Sequence, residues 1–215
     1  MSKNPDSNGE GLLQRCKRGC AFLLRFLRHP IRMGAPLPCN KDIANAICDE
    51  LKEVNAHTVV ELGAGVGPLT EGILKALPPD GKLLCIEREE SFCRKLEDRF
   101  GDRIKLVRGN ALELGEIIEG TEWEEPDAIV CSVPLIIDES EALLHAIHEN
   151  LPPDSLYLQV ANFRKPVEAM FKVKKSYFFP TNIPPERLHA AVHYPESQES
   201  NPSEEKEDLA QTPKA

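Results

Sequence analysis

Thr58-Val59-Val60-Glu61-Leu62-Gly63-Ala64-Gly65-Val66-Gly67-Pro68-Leu69-Thr70 joins a β-branched apolar run to an acid, then to three glycines at alternate positions. The run predicts a strand, the glycines a tight turn, and the residues to about Leu77 a helix whose N-terminus faces the turn. Glycine there lets the backbone bend sharply and approach a ligand closely, where a side chain would clash. A turn of this kind weakens a fold unless something fills it, so the stretch reads as a ligand loop. Glu61 stands where it can accept hydrogen bonds from a cationic or hydroxyl-bearing ligand.

Working outward, residues 41–53 predict a helix that Asn40 can cap. Residues 82–86 predict a second strand ending at Glu87, and residues 89–100 a helix. A third strand over 103–108 is followed by Gly109-Asn110-Ala111. A fourth over 126–131 ends in Ser132-Val133-Pro134-Leu135. A helix over 140–150 and a fifth strand over 155–160 follow, and segments 171–179 and 187–194 suit a closing antiparallel pair. Strand alternating with helix predicts an α/β fold, a mostly parallel sheet with helices on both faces. Ligands of such sheets bind outside the carboxyl ends of the strands. Glu61, Glu87, Asn110 and Ser132 all fall at such ends, which is stronger evidence than any one motif.

The 215 residues suffice for one domain with a full core plus extensions. A net charge of −9 excludes a chain that is basic throughout, though not local basic patches. The seven cysteines form no C-x-x-C pair, and Cys85 and Cys131 sit in apolar runs. This argues against a disulfide framework or a metal site, and for a reducing, cytoplasmic setting.

Residues 1–10 and the Ser-, Pro- and Glu-rich residues 195–215 read as disordered tails, and 33–194 as the folded domain. Residues 11–32 differ from both: Arg15, Lys17, Arg18, Arg25, Arg28 and Arg32 occur with no acid. At helical spacing Leu12, Leu13, Cys16, Cys20, Leu23, Leu24 and Leu27 share one face, widened by Phe22 and Phe26. Arginine interrupts the apolar runs well short of the ~18 residues that a membrane span requires. The pattern fits a basic amphipathic helix lying on a phospholipid membrane surface. Packing on the domain and contact with RNA are the alternatives.

The E-x-G-x-G-x-G pattern differs from the G-x-G-x-x-G of dinucleotide enzymes. It resembles motif I of the class I S-adenosylmethionine-dependent methyltransferases. That resemblance implies a Rossmann-like, seven-stranded fold and S-adenosylmethionine as cofactor, held by Glu61, Gly63, Gly65 and Gly67. Glu87 would accept two hydrogen bonds from the ribose diol, Asn110 would pair with the adenine edge, and Ala111 would pack beside the ring. Asn110 stands where the family usually has Asp. Ser132, Pro134 and Leu135 occupy motif IV, where the acceptor meets the methyl group.

Adenine N6-methylases, including the rRNA adenine dimethylases that this chain also resembles, carry Asn/Asp-x-Pro-Tyr/Phe there, whose aromatic stacks on the flipped base. Leu135 offers no such platform. The chain more closely resembles the bacterial phospholipid N-methyltransferases, over residues 12–194. Their G-A-x-x-P-S-S appears as Gly34-Ala35-Pro36-Leu37-Pro38-Cys39-Asn40, and their S-G-L-P-L as Ser132-Val133-Pro134-Leu135 without the glycine. Their N-L-P-P-A-R appears as Asn182-Ile183-Pro184-Pro185-Glu186-Arg187, while Q-F-T-Y is here Gln159-Val160-Ala161-Asn162, without its aromatics. The resemblance implies methylation of an ethanolamine phospholipid by a peripherally membrane-associated enzyme. RNA adenine methylation and a non-catalytic membrane- or partner-binding module are its rivals. Arg164, Lys165, Lys172, Lys174 and Lys175 could hold a lipid phosphate or simply protect a strand edge. Asp138 reads as a weak base or a helix cap, and His189 and His193 as surface or structural residues.

Overall fold

The computed structural model describes residues 40–121, 123–135, 139–182 and 185–193. The amphipathic segment 11–32, the loop 34–39, both tails, Asp138, and Ile183 and Pro184 lie outside the described residues.

Helix α1 (Asn40–Glu53) leads into β1 (Thr58–Leu62), α2 (Pro68–Ala76), β2 (Lys82–Glu87), α3 (Glu90–Phe100) and β3 (Lys105–Arg108). Then come α4 (Leu114–Gly120), β4 (Ala128–Cys131), α5 (Ser140–Asn150), β5 (Leu156–Val160), the single turn α6 (Lys165–Glu168), β6 (Lys172–Phe179) and β7 (Glu186–Val192). The strands form one sheet in the order β3-β2-β1-β4-β5-β7-β6. The first five are parallel; β7 runs antiparallel to both β5 and β6. The expected closing pair therefore forms, and β7 inserts between β5 and β6.

Side chains of a strand alternate between faces, and that alternation builds the two layers. Val59, Cys85, Val130 and Leu158 point to one face, where Ile43, Ile47 and Leu51 of α1, Ile73 of α2 and Leu96 of α3 cover them. Val60, Leu62, Ile86, Ile129, Cys131 and Tyr157 point to the other, covered by Leu114 of α4 and Leu143, Leu144 and Ile147 of α5. Both faces of the central strands are buried, which is why they read as unbroken apolar runs. Each fully buried Leu or Ile contributes about 1.5–3 kcal/mol.

Several boundaries move. Helix α1 begins at Asn40 itself, where a cap was expected, and the third strand starts only at Lys105 because Gly101–Arg103 forms a 3-10 turn. Helix α4 does not follow from the sequence, since two glycines and two acids interrupt its apolar spacing. His189 and His193 are buried, not on the surface. His189 Nδ1 lies 2.9 Å from Ser176 Oγ, and His193 Nδ1 contacts the Leu151 carbonyl.

Candidate functional site

Backbone hydrogen bonds knit the carboxyl ends of the parallel strands into one edge. Gly63 N–H donates to Ile86 O at 2.9 Å, Ser132 N–H to Leu62 O at 3.0 Å, and Gly109 N–H to Glu87 O at 3.1 Å. Glu61, Glu87, Asn110 and Ser132 are thereby brought to one side of the sheet, as their positions in the sequence suggested.

The glycine loop lies on this edge. Gly63, Gly65 and Gly67 all adopt left-handed φ, at 78°, 59° and 84°. Gly67 also needs the missing side chain, since a Cβ there would come 2.3 Å from Phe100 Cε2. Helix α3 supports the loop from below, with Arg99 Nη1 donating to Val66 O at 3.2 Å and to Gly67 O at 3.3 Å. Sequence reasoning did not single out Arg99 or Phe100. They lie more than thirty residues from the loop, and each fits an ordinary amphipathic helix.

Glu87 is the second fixed point of the loop. Its Oε2 accepts from Gly65 N–H at 2.8 Å and its Oε1 from Glu89 N–H at 2.8 Å. Each oxygen keeps a further lone pair, so a diol can still be accepted. Asn110 Oδ1 accepts from Leu112 N–H at 3.3 Å and caps the 3-10 turn Ala111–Glu113. With that oxygen engaged, the Asn110 amide is oriented to act as a donor. Ala111 is buried in the layer beneath.

Glu61 is only 1% exposed and sits below the loop. Its Oε2 accepts from Thr70 Oγ1 at 2.7 Å and from Cys85 Sγ at 3.4 Å, while Oε1 has no partner among the protein atoms. Burial pushes the carboxyl up to about 7, with repulsion from Glu87 adding to it, and outweighs the hydrogen bonds from Thr70 and Cys85 that favour the anion. Folded protein thus holds a proton that an ordinary carboxyl, at 4.5, has lost. Stability from this group is present at low pH, falls as pH rises from about 4.5, and levels off above about 7. Glu61→Gln should remove that slope. Urea unfolding at pH 5 and pH 8 should show the variant gaining about 2–3 kcal/mol on the wild type across the interval. An unchanged difference between the two proteins would contradict it.

β4 and β5 build the neighbouring part of this edge. Ser132 Oγ donates to Gly63 O at 2.7 Å, tying motif IV to the first glycine and leaving the hydroxyl oxygen as an acceptor. Gln159, fully buried, donates through Nε2 to Val133 O at 3.3 Å and to Val160 O at 3.0 Å, and accepts from the Tyr157 hydroxyl. Pro134 and Leu135 are half-buried, and Leu135 packs on the apolar layer formed with α5. In the sequence Gln159 is only a letter of a motif; its link to Val133 depends on β4 and β5 being neighbours. Gln159→Leu should cost about 2–3 kcal/mol by stranding buried partners. In the folded fraction, kcat should drop more than cofactor affinity, as single-turnover and equilibrium-binding measurements would reveal.

Two members of the basic cluster are engaged in ion pairs. Lys175 Nζ pairs with Glu50 at 3.0 Å and Glu53 at 2.6 Å, fastening β6 to α1, and Arg164 pairs with Glu168 at 2.7 Å. Among the described residues no group of three His, Cys, Asp or Glu could hold a metal ion, and no helix is long and apolar enough to cross a membrane.

No protein-family model matches the chain. It is similar to an ornithine lipid N-methyltransferase of Singulisphaera acidiphila, 27% identical over 173 residues, which are 76% of this chain and 90% of that protein. A ribosomal RNA small subunit methyltransferase A of Paraburkholderia xenovorans is 29% identical over 82 residues, covering 38% of this chain but only 30% of its own length. Among solved structures, the O-methyltransferase TomG of Streptomyces achromogenes, crystallised with S-adenosylmethionine, superposes with a TM-score of 0.64. The match has 15% identity over 78% of this chain and 86% of that one. By the order of its sheet, its glycine loop and these relationships, the chain is a class I S-adenosylmethionine-dependent methyltransferase.

Proposed function

We propose that this protein transfers a methyl group from S-adenosylmethionine to the primary amine of a membrane lipid, an ethanolamine phospholipid in the first instance. The carrying observation is the acceptor loop: Ser132 presents a hydroxyl oxygen on the carboxyl edge, and Leu135, half-buried against the apolar layer, is an aliphatic side chain that offers no aromatic stacking platform. An amine needs the first and not the second, whereas a flipped base needs both. Similarity to an ornithine lipid N-methyltransferase over nine-tenths of its length supports the same reading.

The residues fit a nucleoside that carries a cationic amino-acid arm. Glu61 Oε1 is buried without a partner, and a cation beside it would favour the ionised carboxylate. A Cβ on Gly65 would meet nothing closer than Gly63 O at 4.0 Å, so the loop is open on that side. Glu87 would accept the ribose hydroxyls while restraining Gly65, Asn110 would donate to the adenine edge, and Ala111 would pack beside the ring. The cofactor supplies an electrophilic methyl on a sulfonium and leaves as the neutral thioether.

The protein then has to align the acceptor nitrogen and exclude water. An ethanolamine-type ammonium ionises at about 10, so it gives a proton to solvent before the neutral amine is aligned for attack. The Ser132 oxygen can accept an N–H bond from the neutral amine and orient its lone pair. Gln159 and Gly63 hold the loop that presents this oxygen.

One incubation tests the assignment: purified protein, methyl-labelled S-adenosylmethionine, phosphatidylethanolamine liposomes containing anionic lipid, and total RNA, followed by organic extraction. Label in the organic phase that disappears with Glu87→Ala is the expected result. Label in RNA and none in lipid would overturn the proposal in favour of adenine methylation.

A further inference from the structure

Two phenylalanines stand in solvent at the edge of the sheet that carries the site. Phe163 follows β5 and is 72% exposed; Phe178 lies next to the end of β6 and is 52% exposed. Val54, the other large apolar side chain exposed among the described residues, lies before β1 at the opposite edge. Register links the pair. Phe178 is opposite Arg187 on β7, and Arg187 O accepts from Ala161 N–H at 3.0 Å, two residues before Phe163. Two strand spacings, about 10 Å, therefore separate the end of β5 from β6.

Cations accompany these rings. The Arg187 guanidinium lies 4.5 Å from the Phe178 ring centroid, and Arg164 and Lys165 are exposed directly after Phe163. Two acids share the edge, but Glu168 is paired with Arg164 and Glu186 accepts from Asn182 Nδ2 at 2.9 Å. Protruding aromatic rings flanked by arginine and lysine suit the boundary between headgroups and acyl chains. The rings enter the apolar layer there, and the long cationic side chains stay at the phosphates.

We propose that this edge is a membrane-docking surface of the folded domain itself, with Phe163 and Phe178 entering an anionic bilayer and Lys165 and Arg187 at headgroup level. None of its residues belongs to segment 11–32. The choice of a bilayer as occupant rests on the lipid acceptor proposed above: β4 and β5 end at this edge, so docking here turns the acceptor loop toward the leaflet that holds the substrate.

The test uses the full chain with Phe163→Trp on a Trp123→Phe background, so that one tryptophan reports on the edge. Vesicles mixing phosphatidylcholine and phosphatidylglycerol should shift its emission to the blue, and brominated acyl chains should quench it. In the otherwise unchanged chain, Phe163→Ser with Phe178→Ser should lower vesicle affinity about tenfold and leave cofactor binding unchanged. Sedimentation with vesicles without blue shift or quenching would overturn the proposal, as would a shift produced by RNA alone. The acceptor assignment fails separately. A blue shift with no methyl transferred to lipid would leave the docking surface standing, whereas lipid methylation with no shift would remove the docking surface alone.

Discussion

Replacing Gly67 by alanine should destabilise the protein by about 3 kcal/mol. Two independent costs add. A left-handed φ of 84° costs an L-residue about 1–2 kcal/mol. The new Cβ would also lie 2.3 Å from Cε2 and 2.9 Å from Cζ of Phe100, and overpacking of that kind costs about 1–3 kcal/mol. For a domain of this size, melting should fall by roughly 6–12 °C. The double variant Gly67→Ala with Phe100→Leu separates the terms, because it relieves the clash and leaves the backbone cost. Recovery of about half of the lost stability, relative to Phe100→Leu alone, is expected. No recovery would mean that the ring is not what the methyl meets.

Glu87→Ala should reduce S-adenosylmethionine affinity at least about 100-fold, with the fold intact by circular dichroism. The carboxylate is asked to do two things at once. It holds Gly65 N–H and Glu89 N–H at 2.8 Å each, and in the proposed assignment it also accepts the ribose diol. Hydrogen bonds to a charged group contribute about 1.5–3 kcal/mol each, so losing even two of them costs a hundredfold or more. Glu87→Gln keeps one acceptor oxygen and should fall between the two proteins. Calorimetric titration reads the effect directly, and an alanine variant binding within about threefold of wild type would remove Glu87 from the cofactor site.

Much of the fold was legible because its information is local. Apolar runs announced β1, β2 and β4, and the 3.6-residue spacing of Leu143, Leu144 and Ile147 announced α5 with the bounds observed. The E-x-G-x-G-x-G spacing likewise marked a loop whose three glycines all adopt left-handed φ. Helix α4 escaped because Gly115 and Gly120 lower its propensity, and packing of Leu114 and Ile117 on the sheet overrides it. The basic residues near β6 misled in another way. Composition suggests an anion site, yet Lys175 faces Glu50 and Glu53, which lie more than 120 residues away.

The candidate site divides along the same line. By itself the sequence determined which residues reach the carboxyl edge, because strand length and the turn residues after each strand set where Glu61, Glu87, Asn110 and Ser132 fall. Only the tertiary structure decided what their atoms are free to do. Glu61 lies beneath the loop with one oxygen unpartnered, Asn110 spends its carbonyl on a cap, and Ser132 commits its proton to Gly63. Arg99, Phe100 and Gln159 join the site only through neighbours distant in the chain. The physical reason is that backbone conformation follows from local sterics and periodicity, whereas burial and hydrogen-bond partnership depend on which strands become neighbours. That neighbour order is settled by covering both faces of the sheet at once.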